Sequence, residues 1–270
     1  MNQKYDIPPY PDQSVANPAS FSGIVIQDVE KSFDEKVVLD GTDLLIKKGE
    51  TLVIIGRSGE GKSVLLKTIV RLLEPDAGNI WVEGQEVACL GRRNLMAMRK
   101  KFGFLFQGAA LFDSMTICKN VGFSLSEHSG LSADRVYKRA CECLAMVGLD
   151  NAENKLPSEL SGGMKKRAGL ARAIAMEPEY ILYDEPTTGL DPITSDAIND
   201  LIIKLQKELG VTSIVVTHDM PSAFKIADRI AMLNKGKIVF SGTVAEVKST
   251  THPMVRQFIN GTATGPLGVF

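Results

Sequence analysis

Two short stretches carry residues whose types and spacing can do chemistry. The first is Gly56-Arg57-Ser58-Gly59-Glu60-Gly61-Lys62-Ser63, a full match to G-x-x-x-x-G-K-[ST]. Its glycines let the backbone wrap a polyphosphate with N–H groups turned inward, and a helix starting there adds the positive end of its dipole. In that arrangement Lys62 reaches the β- and γ-phosphates of a nucleoside triphosphate, and the Ser63 hydroxyl is a ligand for Mg²⁺. The second stretch is Asp184-Glu185, closing the apolar run Tyr180-Ile181-Leu182-Tyr183. Carboxylates at the carboxyl end of a strand stand where open α/β sheets bind ligands. Asp184 then holds Mg²⁺, directly or through water, and Glu185 polarises the water attacking the γ-phosphate. Each stretch alone is also readable as an ordinary turn. Together they point to hydrolysis of a nucleoside triphosphate.

Both stretches need elements to position them. TLVII precedes the glycine-rich loop with strand texture, and KSVLLKTIVRLL (62–73) follows it with helical spacing up to a turn at Pro75-Asp76-Ala77-Gly78. GIVIQDV, TDLLIKKG, NIWVEGQEV, YILYD (180–184) and TSIVVTH (212–218) also read as strands, and RIAML and KIVFSG flank a hairpin turn at Asn234-Lys235-Gly236. Strands alternating with helices imply an α/β fold around a mostly parallel core. From about Arg92 to Ala175 the pattern is mostly helical, most plainly in SADRVYKRACECLAMVG, with Ser132 as N-cap, Gly148 as C-cap and Val136, Ala140, Cys143, Leu144 and Val147 on one face. Residues 1–20, with Pro8, Pro9, Pro11 and Pro18, read as a flexible tail.

Composition narrows the class without naming a function. Hydrophobic residues at 44% and charged residues at 23% exclude a disordered or collagen-like chain. Lys+Arg 31 against Asp+Glu 32, a net charge of −1, gives no sign of a nucleic-acid partner. No apolar run approaches the roughly 18 residues of a membrane span, and the N-terminus lacks a secretory signal pattern. The four cysteines lack metal-ligand spacing and fit a reducing compartment; Cys141 and Cys143 point to different helix faces. His128 and His252, without evident partners, read as surface residues, and Lys165-Lys166-Arg167 as a solvated helix face.

The long gap between Lys62 and Asp184 carries Leu160-Ser161-Gly162-Gly163-Met164 before LARAIAMEPEYILYDEP. Over roughly residues 23–248 the chain resembles the ATP-binding cassette (ABC) ATPases, a resemblance that implies an α/β phosphate-loop NTPase with an antiparallel β subdomain and a helical subdomain bearing the signature. By the same resemblance Ser161, Gly162 and Gly163 are the signature facing the ATP of a second copy, Gln107 is the Q-loop glutamine and a Mg²⁺ ligand, and Asp191, in Thr188-Gly189-Leu190-Asp191, belongs to the D-loop. His218 is the switch histidine and Phe33 the aromatic that stacks on adenine. Bottom-up alternatives stand beside these roles: Ser161 as a helix N-cap, Asp191 as the cap before Pro192, His218 as a core histidine.

Met164 departs from the glutamine usual in the family and cannot supply its hydrogen bonds. Ser161-Gly162-Gly163-Met164, Gln107-Gly108-Ala109-Ala110-Leu111-Phe112-Asp113 and Glu185-Pro186-Thr187-Thr188-Gly189-Leu190-Asp191-Pro192-Ile193-Thr194 resemble the ATPases of the maintenance-of-lipid-asymmetry (Mla) and mammalian-cell-entry (MCE) lipid transporters, as does the C-terminal extension 249–270. The resemblance implies an ATPase domain over 21–248, with its helical subdomain at about 92–175. It implies ATP and Mg²⁺ as cofactors, a second copy of the chain as ATP-sandwich partner, and a separate membrane permease. An MCE-domain protein, a small accessory subunit and a place on the cytoplasmic face of a bacterial inner membrane are implied likewise. The alternatives are an ABC ATPase for another small molecule, a soluble ABC protein of DNA repair or translation, and a non-catalytic nucleotide-binding scaffold.

Overall fold

In the computed structural model of the protein, residues 17–268 are described. Most of the tail expected over 1–20 lies outside them; within them, Pro18–Ser20 forms one 3₁₀ turn. The described residues divide into two compact units, one of the chain up to Cys89 with Val216 onward, and one of Leu90–Val215.

The first unit opens with β1 (Gly23–Phe33) and β2 (Lys36–Lys47), then β3 (Thr51–Ile55), α1 (Lys62–Ile69), β4 (Ala77–Val82) and β5 (Gln85–Glu86). Four of these strands form an antiparallel sheet in the order β2-β1-β4-β5, the antiparallel subdomain implied by the family resemblance. β3 is buried at every residue, which is why it reads as a continuous β-branched run rather than an alternating one. Helix α1 is shorter than its 62–73 pattern suggests. Arg71 takes a left-handed φ of 52°, and the N–H groups of Leu72 and Arg71 donate to the carbonyls of Lys67 and Thr68 at 2.8 and 2.9 Å. That is a Schellman closure made without glycine, so no residue type announces it.

The second unit contains α2 (Arg92–Lys100), β6 (Phe102–Leu105), α3 (Ile117–His128), α4 (Ala133–Met146), α5 (Gly162–Ile174), β7 (Tyr180–Asp184), α6 (Pro192–Leu209) and β8 (Thr212–Thr217). β6 interrupts the expected helical stretch and pairs in parallel with β7. Ala140, Cys143, Leu144 and Val147 are buried, and Val136 packs where α3 comes closest: a Cβ on Gly122 would stand 2.7 Å from its Cγ1. Ser132 occupies the N-cap position of α4 but makes no side-chain capping bond.

The chain returns to the first unit through α7 (Met220–Ile226), β9 (Arg229–Asn234), β10 (Lys237–Thr243), α8 (Val244–Ser249) and α9 (Pro253–Asn260). β9 runs parallel to β3 and antiparallel to β10. Lys235 and Gly236, at φ 48° and 74°, make the two-residue hairpin turn expected between them. Arg229 donates to Glu50 at 2.8 Å in a largely buried ion pair that ties β9 to the chain entering β3. Among the described residues no helix is long and apolar enough to cross a membrane.

Candidate active site

The first unit holds Gly56–Ser63, the stretch expected to bind phosphate. Gly61 is the N-cap of α1 at φ 101°, and a Cβ there would stand 2.8 Å from the Val38 carbonyl oxygen; a left-handed conformation and lack of room both favour glycine. The Leu65 N–H donates to the Gly61 carbonyl at 2.8 Å, so the helix starts directly from the loop. Lys62 is buried, and its Nζ donates to the carbonyls of Gly56 at 2.8 Å and Arg57 at 3.0 Å. The ammonium is thus held across the loop that precedes it. A Glu60 carboxylate oxygen accepts from the Lys235 N–H and fastens the loop to the β9–β10 turn. Arg57 Nη1 donates to the Leu267 carbonyl at 2.9 Å, a contact from the chain's last described residues that the sequence does not announce.

Two other residues assigned to the site by the family resemblance, Phe33 and His218, lie in this unit. Phe33 ends β1 with 42% of its surface exposed. Lys31 Nζ sits 5.5 Å from its ring centroid while donating to Asp76 Oδ1 at 2.6 Å, so the ring has a cationic neighbour that is itself anchored. Hydrogen bonds from Lys31 and from the Ser32 N–H hold the Asp76 carboxyl below its ordinary range. His218 is exposed immediately after β8, with Thr217 Oγ1 accepting from the Asp219 N–H at 3.0 Å. It is not a core histidine.

The second unit holds Asp184, Glu185 and the residues expected to form the signature. Asp184 ends β7 and Glu185 follows it; both are buried, 5% and 8% exposed. Glu185 adopts φ 50°, an uncommon left-handed conformation for a residue with a long side chain. Thr188 Oγ1 donates to Glu185 Oε2 at 3.0 Å and directs the carboxylate. Ser161 caps α5, its Oγ accepting from the Met164 N–H at 3.3 Å, and Gly162 is exposed while Gly163 is buried. Asp191 caps α6 by accepting from the N–H groups of Ile193 and Thr194, both at 3.0 Å. A hydrogen bond from the Thr194 hydroxyl to Asp191 Oδ2 at 2.6 Å, followed by these N–H bonds, lowers its pKa. Gln107 is exposed just beyond β6.

Lys166 corrects the sequence reading of a solvated face. It is only 5% exposed, and its Nζ donates to the carbonyls of Gln107 at 2.5 Å and Glu185 at 2.9 Å. The signal was helical register: Lys166 stands three residues after Gly163 and four before Leu170, both buried. Burial lowers its pKa, opposed by the nearby charges of Asp184 and Glu185. Arg172, six residues on, donates to the carbonyls of Ala109 and Ala110, both at 2.6 Å. His252 is a second correction, being buried at 5% exposure rather than on the surface, whereas His128 is exposed. Burial pushes the Cys118 thiol up to about 12 and the Cys143 thiol to about 11, so neither is a thiolate nucleophile at neutral pH.

A strand leading into a glycine-rich loop, a helix begun by a loop-bound lysine, and an apolar strand ending in two carboxylates together define a phosphate-loop nucleoside triphosphatase. Residues 39–188 match the ABC transporter family, and the chain belongs to that family, as an ATP-binding and ATP-hydrolysing cassette. It is 42% identical over 90% of its length to Protein TRIGALACTOSYLDIACYLGLYCEROL 3, chloroplastic, of Arabidopsis thaliana, covering 75% of that protein. It is 40% identical over 95% of its length to the intermembrane phospholipid transport system ATP-binding protein MlaF of Escherichia coli strain K12, covering 93% of it. Among solved structures, the ATP-binding cassette MJ0796, a dimer in a post-hydrolysis state bound to ADP and Pi, superposes with a TM-score of 0.75 at 35% identity, over 82% of this chain and 98% of that one.

Proposed function

We propose that this chain is the ATP-hydrolysing subunit of a transporter that moves phospholipid between membranes. The observation that carries the reading is the likeness to MlaF, 40% identical and nearly end to end in both chains. The Mla-like motifs around Gln107, Ser161–Met164 and Glu185–Thr194 are consistent with it. The chain works as a homodimer, the arrangement in which MJ0796 was solved. Each ATP is held by Gly56–Ser63 of one copy, with Phe33 on the adenine, and is closed over by Ser161-Gly162-Gly163 of the other. Glu185 takes the proton of the attacking water, His218 contacts the γ-phosphate, and Asp191 lies at the contact between copies.

The donors assigned to Mg²⁺, namely the Ser63 hydroxyl, the Asp184 carboxylate and the Gln107 amide oxygen, are all hard oxygens and suit that ion. Bound Mg²⁺ neutralises charge on the β- and γ-phosphates. Asp184 is 5% exposed, and a bound cation would compensate the charge of a carboxylate buried in this way.

A groove of about 520 Å³ in the second unit is lined by Phe104, Phe106, Phe112, Phe123, Met96 and Met176. Phe112 and Met96 keep 43% and 38% of their surface exposed, and Arg99, Lys100, His128 and Arg172 also line the groove, a mixed apolar and basic surface that suits a docking permease. The remaining partners are an MCE-domain protein and a small accessory subunit, and the place of work is the cytoplasmic face of a bacterial inner membrane, reached through the permease. Purification of the chain with its partners from native membrane, followed by mass spectrometry of bound lipid, tests the reading. Phospholipid retained with a membrane-spanning partner supports it. A complex that carries a different solute and no phospholipid refutes it.

A further inference from the structure

Helix α5 begins at the signature and carries Lys166 one turn further on, where its buried ammonium bridges two main-chain carbonyls, those of Gln107 and Glu185. The Glu185 carbonyl also accepts from the Thr188 N–H at 3.3 Å, and Glu185 itself is in the left-handed region. A residue in that conformation persists only where its surroundings over-determine it. A charge-assisted bond to its carbonyl does so, and thereby sets where its carboxylate points. The other end of the same helix repeats the device. Arg172 holds the carbonyls of Ala109 and Ala110, which are consecutive left-handed residues without being glycine, at φ 61° and 49°.

We infer that Lys166 is a positioning residue for hydrolysis. Its ammonium locks the main chain at Gln107 and at Glu185 to the helix that Ser161-Gly162-Gly163 opens, so signature, glutamine segment and general base move as one body. The inference rests on the reading of Glu185 as base. Lys166 touches carbonyls of the protein and takes no part in proton transfer itself.

The test uses the full-length chain with Lys166→Met, which keeps the length without the donors, and Lys166→Arg, which keeps charge and donors, beside Glu185→Gln. Steady-state kcat and KM for Mg-ATP and the affinity for ATP are measured on folded protein. Lys166→Met is expected to lower kcat about tenfold or more with KM and ATP affinity within about twofold, and Lys166→Arg to recover most of the rate. A kcat for Lys166→Met within about twofold of the parent overturns the inference, as does a parallel loss of ATP affinity or a failure of arginine to rescue. If the methionine variant does not fold, Lys166→Leu, likewise without donors, replaces it in the same comparison. Turnover retained by Glu185→Gln removes the base reading separately, whereas a dead Glu185→Gln beside an active Lys166→Met defeats the Lys166 role alone.

Discussion

Glu185, Lys166 and His252 show how environment rather than residue type decides what a side chain does. Glu185 is a buried carboxylate at φ 50°, directed by Thr188 and anchored at its carbonyl by Lys166. His252 is equally buried, but both ring nitrogens lack a hydrogen-bond partner among the described residues, and its ring meets Phe240 edge-on with centroids 6.1 Å apart. Burial lowers its pKa below the ordinary 6.5. Because the unfolded chain then binds the proton more readily, its contribution to stability is complete above pH 6.5 and is lost as pH falls from there toward the depressed folded value. Denaturant midpoints measured from pH 7.5 to 5 should therefore fall less for His252→Leu than for the parent. Parallel curves would assign the acid loss to other groups. Neither His252 nor Lys166 was legible as a buried residue from its type, since lysine and unpaired histidine usually face water. For Lys166 the helical register around Gly163 and Leu170 held the clue.

At the scale of elements, periodicity and turn chemistry were legible and tertiary closures were not. β3, β7 and β8 stand where their apolar runs place them, and the caps at Ser161 and Asp191 follow from serine and aspartate before helical runs. β6 was submerged in helical texture because four residues, Phe102–Leu105, are too few to establish a period. The early end of α1 depends on hydrogen bonds to Lys67 and Thr68, with arginine where glycine usually signals a stop. Gly78 illustrates what a strand's neighbours demand. It sits at φ 77° in β4, and a Cβ would stand 2.1 Å from the Asp28 carbonyl oxygen where the β1–β4 register shifts. Gly78→Ala is expected to destabilise the protein by about 2–4 kcal/mol, the left-handed backbone and the overpacking each contributing. Equilibrium unfolding in urea measures this, and an unchanged midpoint would show that the β1 bulge yields freely.

For the whole molecule, the two units divide the chemistry between them. The first carries Gly56–Ser63, Phe33 and His218; the second carries Glu185, Ser161–Gly163 and Gln107, the residues to which the proposed function gives the roles of base, signature and glutamine segment. The motifs single out that set in the sequence, because phosphate capture and water activation tolerate few alternatives in residue type. The supports were not legible: Lys166, Arg172 and the Arg57–Leu267 contact join residues far apart in the chain. The central claim is that two copies close around ATP and that Glu185 then drives its hydrolysis. Sedimentation of Glu185→Gln with and without Mg-ATP, alongside its turnover, tests it most directly. The expected result is an ATP-dependent dimer with hydrolysis at least about a hundredfold slower than the parent. A variant that remains monomeric with ATP bound, or that hydrolyses at the parental rate, would contradict it.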